Sequence, residues 1–195
     1  IVKPRRLEFE KQTKSDVYGK FSAGPFERGY GVTTGNSLRR MLLSSIEGAA
    51  IVAIKFDGIF HEFSSIPGVV EDATEIILNL KQVNLKMADD AEEKRVYIMK
   101  DKPGKVYAKD ITSDPQVTIL NPDQLVATLD SNGKLDMEMI VRKGRGYVPA
   151  EKQEIEGESV QMIPIDSVLS PVEKVCYHVE HTRVGQSTDY DSLVM

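Results

Sequence analysis

The sequence predicts a strand-rich fold that also contains two helices. Most of the chain consists of short runs in which apolar and polar residues alternate, which is the pattern of half-buried strands. Two segments instead repeat their apolar residues at intervals of three and four, which is the helical period. The chain has 195 residues, and this length suits either one large domain or two small ones.

The composition is typical of an ordinary globular protein. Hydrophobic residues make up 41% of the chain, charged residues make up 28%, and the formal net charge is −5. No apolar run approaches the roughly 18 to 20 residues that a membrane-spanning helix needs. The single cysteine, Cys176, cannot form an internal disulfide. We therefore expect a cytoplasmic protein that does not associate with a membrane. Because the chain begins with Ile1 and ends in an apolar stub at 190–195, we expect it to be a fragment.

The first predicted strands lie in the N-terminal third of the chain. Residues 17–21 alternate, and so do residues 52–56, which meet Asp57-Gly58 and continue as the apolar run 59–63. An Asp-Gly pair between two apolar runs is typical of a two-residue hairpin with a type I′ turn, which needs a positive φ at both central residues. The sequence therefore predicts a hairpin centred on Asp57-Gly58.

A second hairpin is predicted around Asn132-Gly133, by the same reasoning. It joins the run 125–129 to the run 135–141, in which apolar residues alternate with polar ones. Such alternation predicts a strand with one solvated face. A last strand is predicted at 175–180, whereas the acidic segment 147–164 has no sustained period and is predicted to be an exposed loop.

The first predicted helix begins after Gly35, with Asn36 or Ser37 as its N-cap. Its apolar stripe consists of Leu38, Met41, Leu42 and Ile46. At about 100° per residue, Arg40 lies about 160° from Leu42. The far side of the helix therefore carries Arg40, Leu43, Ser44 and Glu47, while Arg39 lies at the edge of the stripe.

The second predicted helix runs from Val69 to Leu80. Its apolar residues recur at three and four, Glu71 and Asp72 lie in its first turn, and Lys81 lies at its end. Acidic residues near the start and a basic residue near the end complement the helix dipole.

The motifs that could carry chemistry do not form a catalytic or cofactor site. The glycines of segment 28–36 fit neither a dinucleotide fingerprint nor a phosphate-binding loop, and we expect them to allow a tight entry into the helix. In segment 176–181, Cys176 and His178 face one side of a strand and His181 faces the other, so convergence on a metal ion is not expected. We expect this chain to bind no cofactor.

The basic cluster 142–147 leaves two interpretations open. Three cations in four residues, followed by Tyr147, are compatible with nucleic-acid binding. With a net charge of −5, a protein-facing or turn role for Arg142, Lys143 and Arg145 is favoured over a nucleic-acid-binding module.

Residues 27–45 resemble the signature of the amino-terminal domain of the bacterial RNA polymerase alpha subunit. Other motifs occur in the order of that family, and the resemblance spans nearly the whole chain. These motifs are Asp57-Gly58 with His61-Glu62-Phe63, the helix through Glu71-Asp72 to Lys81, the cluster 142–147 with Val148-Pro149-Ala150, Ser170-Pro171-Val172-Glu173, and Thr188-Asp189.

The resemblance implies an α+β protein of two subdomains. A dimerisation subdomain, an antiparallel sheet plus helices, would comprise residues 1–47 and 172–195. A β-rich subdomain with one helix, residues 48–171, would be inserted between its two parts. In the family a further helix completes the dimer interface, and a linker and a small DNA-binding domain follow. The present sequence contains none of these, so contact with DNA is expected only through the complex or through that separate domain.

The resemblance also implies partners and contact residues. The family's alpha subunit forms a homodimer and gathers the beta and beta-prime subunits of a nucleotidyltransferase complex, without catalysing a reaction itself. The dimer interface would include Leu38, Met41, Leu42 and Ile46. Contacts to the large subunits would include Arg40, Leu43, Ser44, Lys81 and Ile165. Some family members offer a loop to transcription activators where Glu154, Glu156 and Glu158 stand, although the loop in this sequence is shorter and different.

Overall fold

The computed structural model describes residues 4, 6–112, 114–153 and 162–195. It divides the chain into two compact units. Unit 1 comprises residues 1–46 and 172–195, and unit 2 comprises residues 47–171. Both are sheet-rich with antiparallel strand pairs, and the described residues of each form one α-helix, which confirms the predicted α+β class.

Unit 1 is a four-stranded antiparallel sheet with one helix. Its elements are β1 (Arg6–Phe9), β2 (Phe21–Glu27), α1 (Tyr30–Ser44), β13 (His178–Val184) and β14 (Ser187–Val194). The strand order is β1-β2-β14-β13, so the C-terminal strand β14 lies at the centre. The terminal segment predicted as an apolar stub is therefore a paired strand, in which Leu193 and Val194 are buried.

Helix α1 begins seven or eight residues earlier than the sequence predicts, because its N-cap is Gly29 and not Asn36 or Ser37. Its first residue is Tyr30 and its N-cap is Gly29, which has a φ of 89°. The prediction of a start after Gly35 is wrong, because the glycines that suggested a loop lie inside the helix, where they contact the sheet. The helix ends at Ser44, and Glu47 belongs to the next strand.

In the part of unit 2 that the structure describes, the chain forms one larger sheet, two small sheets and one α-helix. Its elements are β3 (Glu47–Phe56), α2 (Ala73–Leu80), β4 (Leu85–Met87), β5 (Glu93–Lys100), β6 (Gly104–Tyr107), β7 (Val117–Ile119), β8 (Leu125–Leu129), β9 (Leu135–Arg145), β10 (Tyr147–Val148), β11 (Ile163–Pro164) and β12 (Ser167–Val168), with single 3₁₀ turns at Ala108–Asp110 and Ala150–Lys152. The larger sheet has the order β5-β9-β3-β4-β7, and β11 also pairs with β3. Strand β10 pairs with β12, and β6 pairs with β8.

The main hydrophobic core lies on one face of the larger sheet. The alternating residues Leu135, Met137, Met139 and Val141 of β9 are all buried in it, as their pattern predicts. Strand β3 is buried on both faces, because Val52 and its neighbours pack into a second, smaller cluster. This explains why the middle of β3 is a continuous apolar run.

Helix α2 begins at Ala73 and not at Val69 as the sequence predicts, because Asp72 caps it. The Asp72 carboxylate accepts the backbone N–H of Glu75 at 2.7 Å, and the Glu75 carboxylate accepts the N–H of Asp72 at 3.3 Å. This reciprocal capping box satisfies two N–H groups that a helix start leaves free. Glu71, which the sequence places in the first turn, lies outside the helix and accepts hydrogen bonds from Thr128 at 2.6 and 2.9 Å.

Both predicted hairpins are corrected by the strand pairing. Strand β8 pairs with β6, and β9 pairs with β3 and β5, so Asn132-Gly133 does not join a hairpin. Gly133 has no positive φ, and an added Cβ there would lie 1.9 Å from the carbonyl oxygen of Gly68. Asp57-Gly58 does form a turn, and Phe56 and Ile59 make a single antiparallel bridge across it. The predicted hairpin goes no further, because residues 60–63 form no strand, and only Gly58 has a positive φ.

Two further strand predictions differ from the structure. Residues 17–20 precede β2 and form a turn and loop, so the strand predicted at 17–21 is wrong. The strand predicted at 175–180 begins at His178 and continues to Val184. Within the predicted loop 147–164, β10 and β11 form short strand pairs, while residues 154–161 lie outside the described residues.

Candidate protein-interaction surfaces

Helix α1 lies directly on the sheet of unit 1 through two glycines. Gly31 and Gly35 are the buried residues of this helix. A Cβ added at Gly35 would lie 2.5 Å from Cδ2 of Tyr177 and 2.8 Å from Cδ1 of Leu193. At Gly31 it would lie 3.0 Å from Cβ of Asp191. The face of α1 that contacts its own sheet therefore consists largely of backbone.

The N-terminus of α1 is held by a carboxylate from the sheet. The Gly29 N–H donates a hydrogen bond of 2.8 Å to Oδ2 of Asp191, a residue of β14 that is 4% exposed. Gly29 has no side chain with which to cap the helix. Asp191 takes this role, and its negative charge lies where the helix dipole favours it.

The predicted apolar stripe of α1 remains largely exposed. Met41 is 59% exposed, Leu38 is 38% exposed and Ile46, which follows the helix, is 36% exposed. Leu42 is half-buried. Leu38 and Leu42 lie within about 20° of Gly31 on the helical wheel, and Met41 lies about 80° away. The glycine contact covers only the first half of the helix, so the apolar side chains of the second half are left accessible.

Arg40 lies on the opposite side of α1. It is about 180° from Gly31 on the helical wheel, and its side chain is exposed. Within the part of the chain that the structure describes, neither Arg40 nor Arg39 forms an ion pair. Beside Arg40, Leu43 is half-buried, and Ser44 is exposed and donates its hydroxyl to the carbonyl of Arg40 at 2.6 Å. The structure thus brings together the three contact residues predicted on this helix.

The two contact residues predicted in unit 2 differ in accessibility. Lys81 is the C-cap of α2, and its ammonium forms an ion pair with Asp166. Ile165 is only 4% exposed and packs in the main core, whereas the side chain of its neighbour Asp166 is 44% exposed. A contact by Ile165 itself stays a prediction. No local sequence signal identifies Asp166, because its partner Lys81 is 85 residues away.

The acidic residues Glu154, Glu156 and Glu158 of the predicted activator loop lie outside the described residues. Gln153, just before them, donates a side-chain hydrogen bond of 3.3 Å to the carbonyl of Ile165.

Most of the basic cluster lies in strand β9, and its two arginines are paired with acidic side chains. Arg142 of β9 hydrogen-bonds Glu93 at 2.6 and 2.9 Å, and Arg145 lies 3.6 Å from Glu47. Each pair reduces the positive potential that a nucleic acid would meet. The structure therefore adds no observation in favour of a nucleic-acid-binding module.

The side chains of segment 176–181 make separate contacts. His178 hydrogen-bonds Glu180 at 3.0 Å, and His181 lies 3.9 Å from Asp191. Among the described residues, no group of three or more His, Cys, Asp or Glu side chains could hold a metal ion. None of the helices within the described ranges is long and apolar enough to cross a membrane.

Comparison with known proteins identifies close relatives. Residues 52–170 match the family model described as the RNA polymerase Rpb3/RpoA insert domain. Over all 195 residues the chain is 53% identical to the DNA-directed RNA polymerase subunit alpha of Moorella thermoacetica, and it covers 61% of that protein. It is 51% identical over its full length to the same subunit of Geobacter metallireducens, of which it covers 57%. The chain thus spans about three fifths of the length of the curated relatives that it matches.

Proposed function

This chain belongs to the family of bacterial RNA polymerase alpha subunits, as their amino-terminal domain, and from that premise we propose that it is the assembly scaffold of its polymerase. In this proposal it forms a homodimer and recruits the beta and beta-prime subunits for DNA-templated transcription. The nucleotidyl transfer is carried out by the assembled complex, and this chain contributes binding surfaces rather than catalytic groups.

The exposed apolar stripe of α1 is the observation that supports homodimerisation. Large apolar side chains gathered on one exposed helix are unusual on a monomeric surface and are typical of a protein interface. Met41 and Leu38 would lose their exposed area against the second copy. Because Gly31 and Gly35 occupy the contact with the sheet, the stripe is not needed to hold α1 on its own unit.

Arg40 supports a second interface on the same helix. It lies away from the apolar stripe, and its guanidinium makes no ion pair with the described residues. An arginine that becomes buried at an interface is a frequent hot spot, because its planar donors can pair with several acceptors. We assign this face, with Leu43 and Ser44, to a large subunit.

The proposal is tested by separating dimerisation from recruitment. In the full-length protein, Arg40→Ala should leave gel-filtration elution at the dimer position and should weaken copurification of the beta subunit by roughly 30-fold, the equivalent of about 2 kcal/mol. Arg39→Ala, with a side chain about 100° from that of Arg40, is the matched control and should have a smaller effect.

Two outcomes would contradict the assignment. An Arg40→Ala protein that retains beta normally would mean that this face does not carry the contact. An Arg40→Ala protein that elutes as a monomer would mean that Arg40 belongs to the dimer interface instead.

A further inference from the structure

Three side chains from separate segments of unit 2 meet at the end of α2. Lys81 is the C-cap residue of that helix, and its Nζ forms an ion pair with Oδ1 of Asp166. The hydroxyl of Tyr147, from β10, donates to the other carboxylate oxygen, Oδ2, at 3.5 Å. The two oxygens of Asp166 therefore contact different partners.

The backbone on both sides of Asp166 is fixed against the central strand β3. The N–H of Ile165 donates to the carbonyl of Val52 at 2.9 Å, and the hydroxyl of Ser167 donates to the carbonyl of Ile51 at 2.6 Å. Ile165 and Ser167 are both buried. Asp166 thus projects from a rigid support, whereas the Lys81 ammonium is carried by a flexible four-carbon chain.

The surroundings of Asp166 favour its charged form. The hydrogen bond from Lys81 is the main cause that lowers the pKa of Asp166 below its ordinary value of 3.8, and the charge of Lys81 and the Tyr147 hydroxyl lower it further, while partial burial opposes them. The side chains of Lys81 and Asp166 are 30% and 44% exposed. Because an ammonium has three donors and a carboxylate has several acceptor sites, both groups can still bind a partner.

We propose that Asp166, oriented by Tyr147, positions the Lys81 ammonium, so that a large subunit meets a preorganised ion pair rather than a lone cation at this end of α2. This inference rests on the proposed assembly function and assigns a role to two residues, Asp166 and Tyr147, that are not among the contact residues implied by the resemblance. A free lysine side chain loses rotamer freedom when it binds, and one already held by Asp166 loses less.

The pair also defines the chemistry of the surface that fits it. Since the charges of Lys81 and Asp166 cancel, a strongly acidic patch would be repelled by Asp166 as much as it is attracted by Lys81. The matching surface is polar and nearly neutral, with an acceptor for Lys81 beside a donor for Asp166.

The test measures binding of the full-length protein to the purified large subunits. Asp166→Ala should weaken binding about tenfold, because it removes both the positioning group and a direct acceptor. Tyr147→Phe, which removes only the hydroxyl, should weaken binding about twofold. The matched control is Asp123→Ala, which breaks another lysine–aspartate pair of unit 2, with Lys109 at 3.7 Å, and should leave binding unchanged.

A double-mutant cycle distinguishes positioning from an independent contact. If Asp166 acts through Lys81, Asp166→Ala should weaken binding to the large subunits much less in a Lys81→Ala background than in the natural protein. Fully additive losses would overturn the inference. Asp166→Glu keeps the negative charge and should therefore bind more tightly than Asp166→Ala. The inference would also be overturned if Asp166→Glu bound as weakly as Asp166→Ala while Asp166→Asn bound normally.

The same variants separate this inference from the proposed function. If Lys81→Ala weakens binding and Asp166→Ala does not, the positioning role is wrong and the assembly function stands. If neither Lys81→Ala nor Arg40→Ala affects binding, the proposed contact surfaces themselves are wrong. Urea unfolding midpoints verify that each variant is folded, and we expect them to change little, because partly exposed ion pairs contribute little to stability.

Discussion

The carboxylate of Asp191 accepts the backbone N–H of Gly29 at 2.8 Å, across 162 residues of sequence. This hydrogen bond joins the central strand β14 to the first turn of α1, the helix that carries both proposed interfaces of unit 1. The placement of α1 therefore depends on a residue close to the C-terminal end of the chain.

Replacing Asp191 should loosen the start of α1. Asp191→Ala removes the buried carboxylate that caps the helix at Gly29, and we expect a loss of about 1–2 kcal/mol in the free energy of unfolding. Asp191→Asn keeps an acceptor oxygen and should lose less. Urea unfolding followed by circular dichroism measures both, with the exposed Asp189→Ala on the same strand as control. Equal stability of Asp191→Ala and the natural protein would show that the cap is not needed.

Gly35→Ala should destabilise unit 1, although alanine is the better helix former. The added methyl group would lie 2.5 Å from the ring of Tyr177, so either the helix or the ring must move. Overpacking of this kind typically costs about 1–3 kcal/mol. Asn36→Ala, at an exposed position one residue further along, should be neutral or slightly stabilising. A Gly35→Ala protein with an unchanged unfolding midpoint would contradict the close contact.

Met41→Glu should weaken the proposed homodimer without unfolding the chain. Met41 is 59% exposed, so a charge there is solvated in the monomer and would be buried in the dimer. We expect the dimer dissociation constant from sedimentation equilibrium to rise about tenfold or more. Asn36→Glu, on the other side of α1, provides the control for added charge. An unchanged dissociation constant for Met41→Glu would place the interface elsewhere.

Gly133→Ala should be strongly destabilising because of Gly68. An added Cβ would lie 1.9 Å from the carbonyl oxygen of Gly68, and a backbone atom cannot swing away as a side-chain end can. We expect a loss of about 2 kcal/mol or more. The cause is the contact between two backbones and not a positive φ, which Gly133 does not have. Asn132→Ala, exposed at the neighbouring position, is the control, and similar midpoints for the two variants would refute the contact.

Asp110 should make the stability of unit 2 fall in acid. Burial alone would raise the pKa of Asp110, but hydrogen bonds from Lys100 and from the Tyr107 N–H, both 2.8 Å, lower it below its ordinary value of 3.8. Because the pKa is lower in the folded state, the stabilisation is present above the unfolded-state pKa and is lost as the pH falls through the folded-state pKa.

Asp110→Asn measures that contribution. The variant should be less stable than the natural protein at about pH 6, and the difference should shrink as the pH drops below 3.8. Urea midpoints across this range test the expectation, and Asp101→Asn, at an exposed position, should show no such convergence. A difference that stays constant with pH would mean that ionisation of Asp110 does not stabilise the fold.

The sequence alone determined the features that depend on neighbouring residues. The alternation in β9 predicts the buried face formed by Leu135, Met137, Met139 and Val141, because successive side chains of a strand point to opposite faces. It did not predict that Ile140 is buried in the second cluster. Asp72 and Glu75 form a capping box within three residues, and the apolar period of α2 predicts its buried face. The glycine and arginine pattern of residues 27–45 identified the family without any structural information.

Only the tertiary structure decided the features that join distant segments. The hairpin signal at Asn132-Gly133 was misleading because β8 pairs with β6 and Gly133 packs against Gly68. The glycines of α1 are typical of a loop in the sequence. In the structure Gly35 lies inside the helix, because Tyr177 and Leu193 leave no room for a side chain at that position. Local patterns report the conformational preferences of a few residues, whereas strand pairing, close helix packing and the Lys81–Asp166 ion pair arise from contacts that only the folded chain brings together.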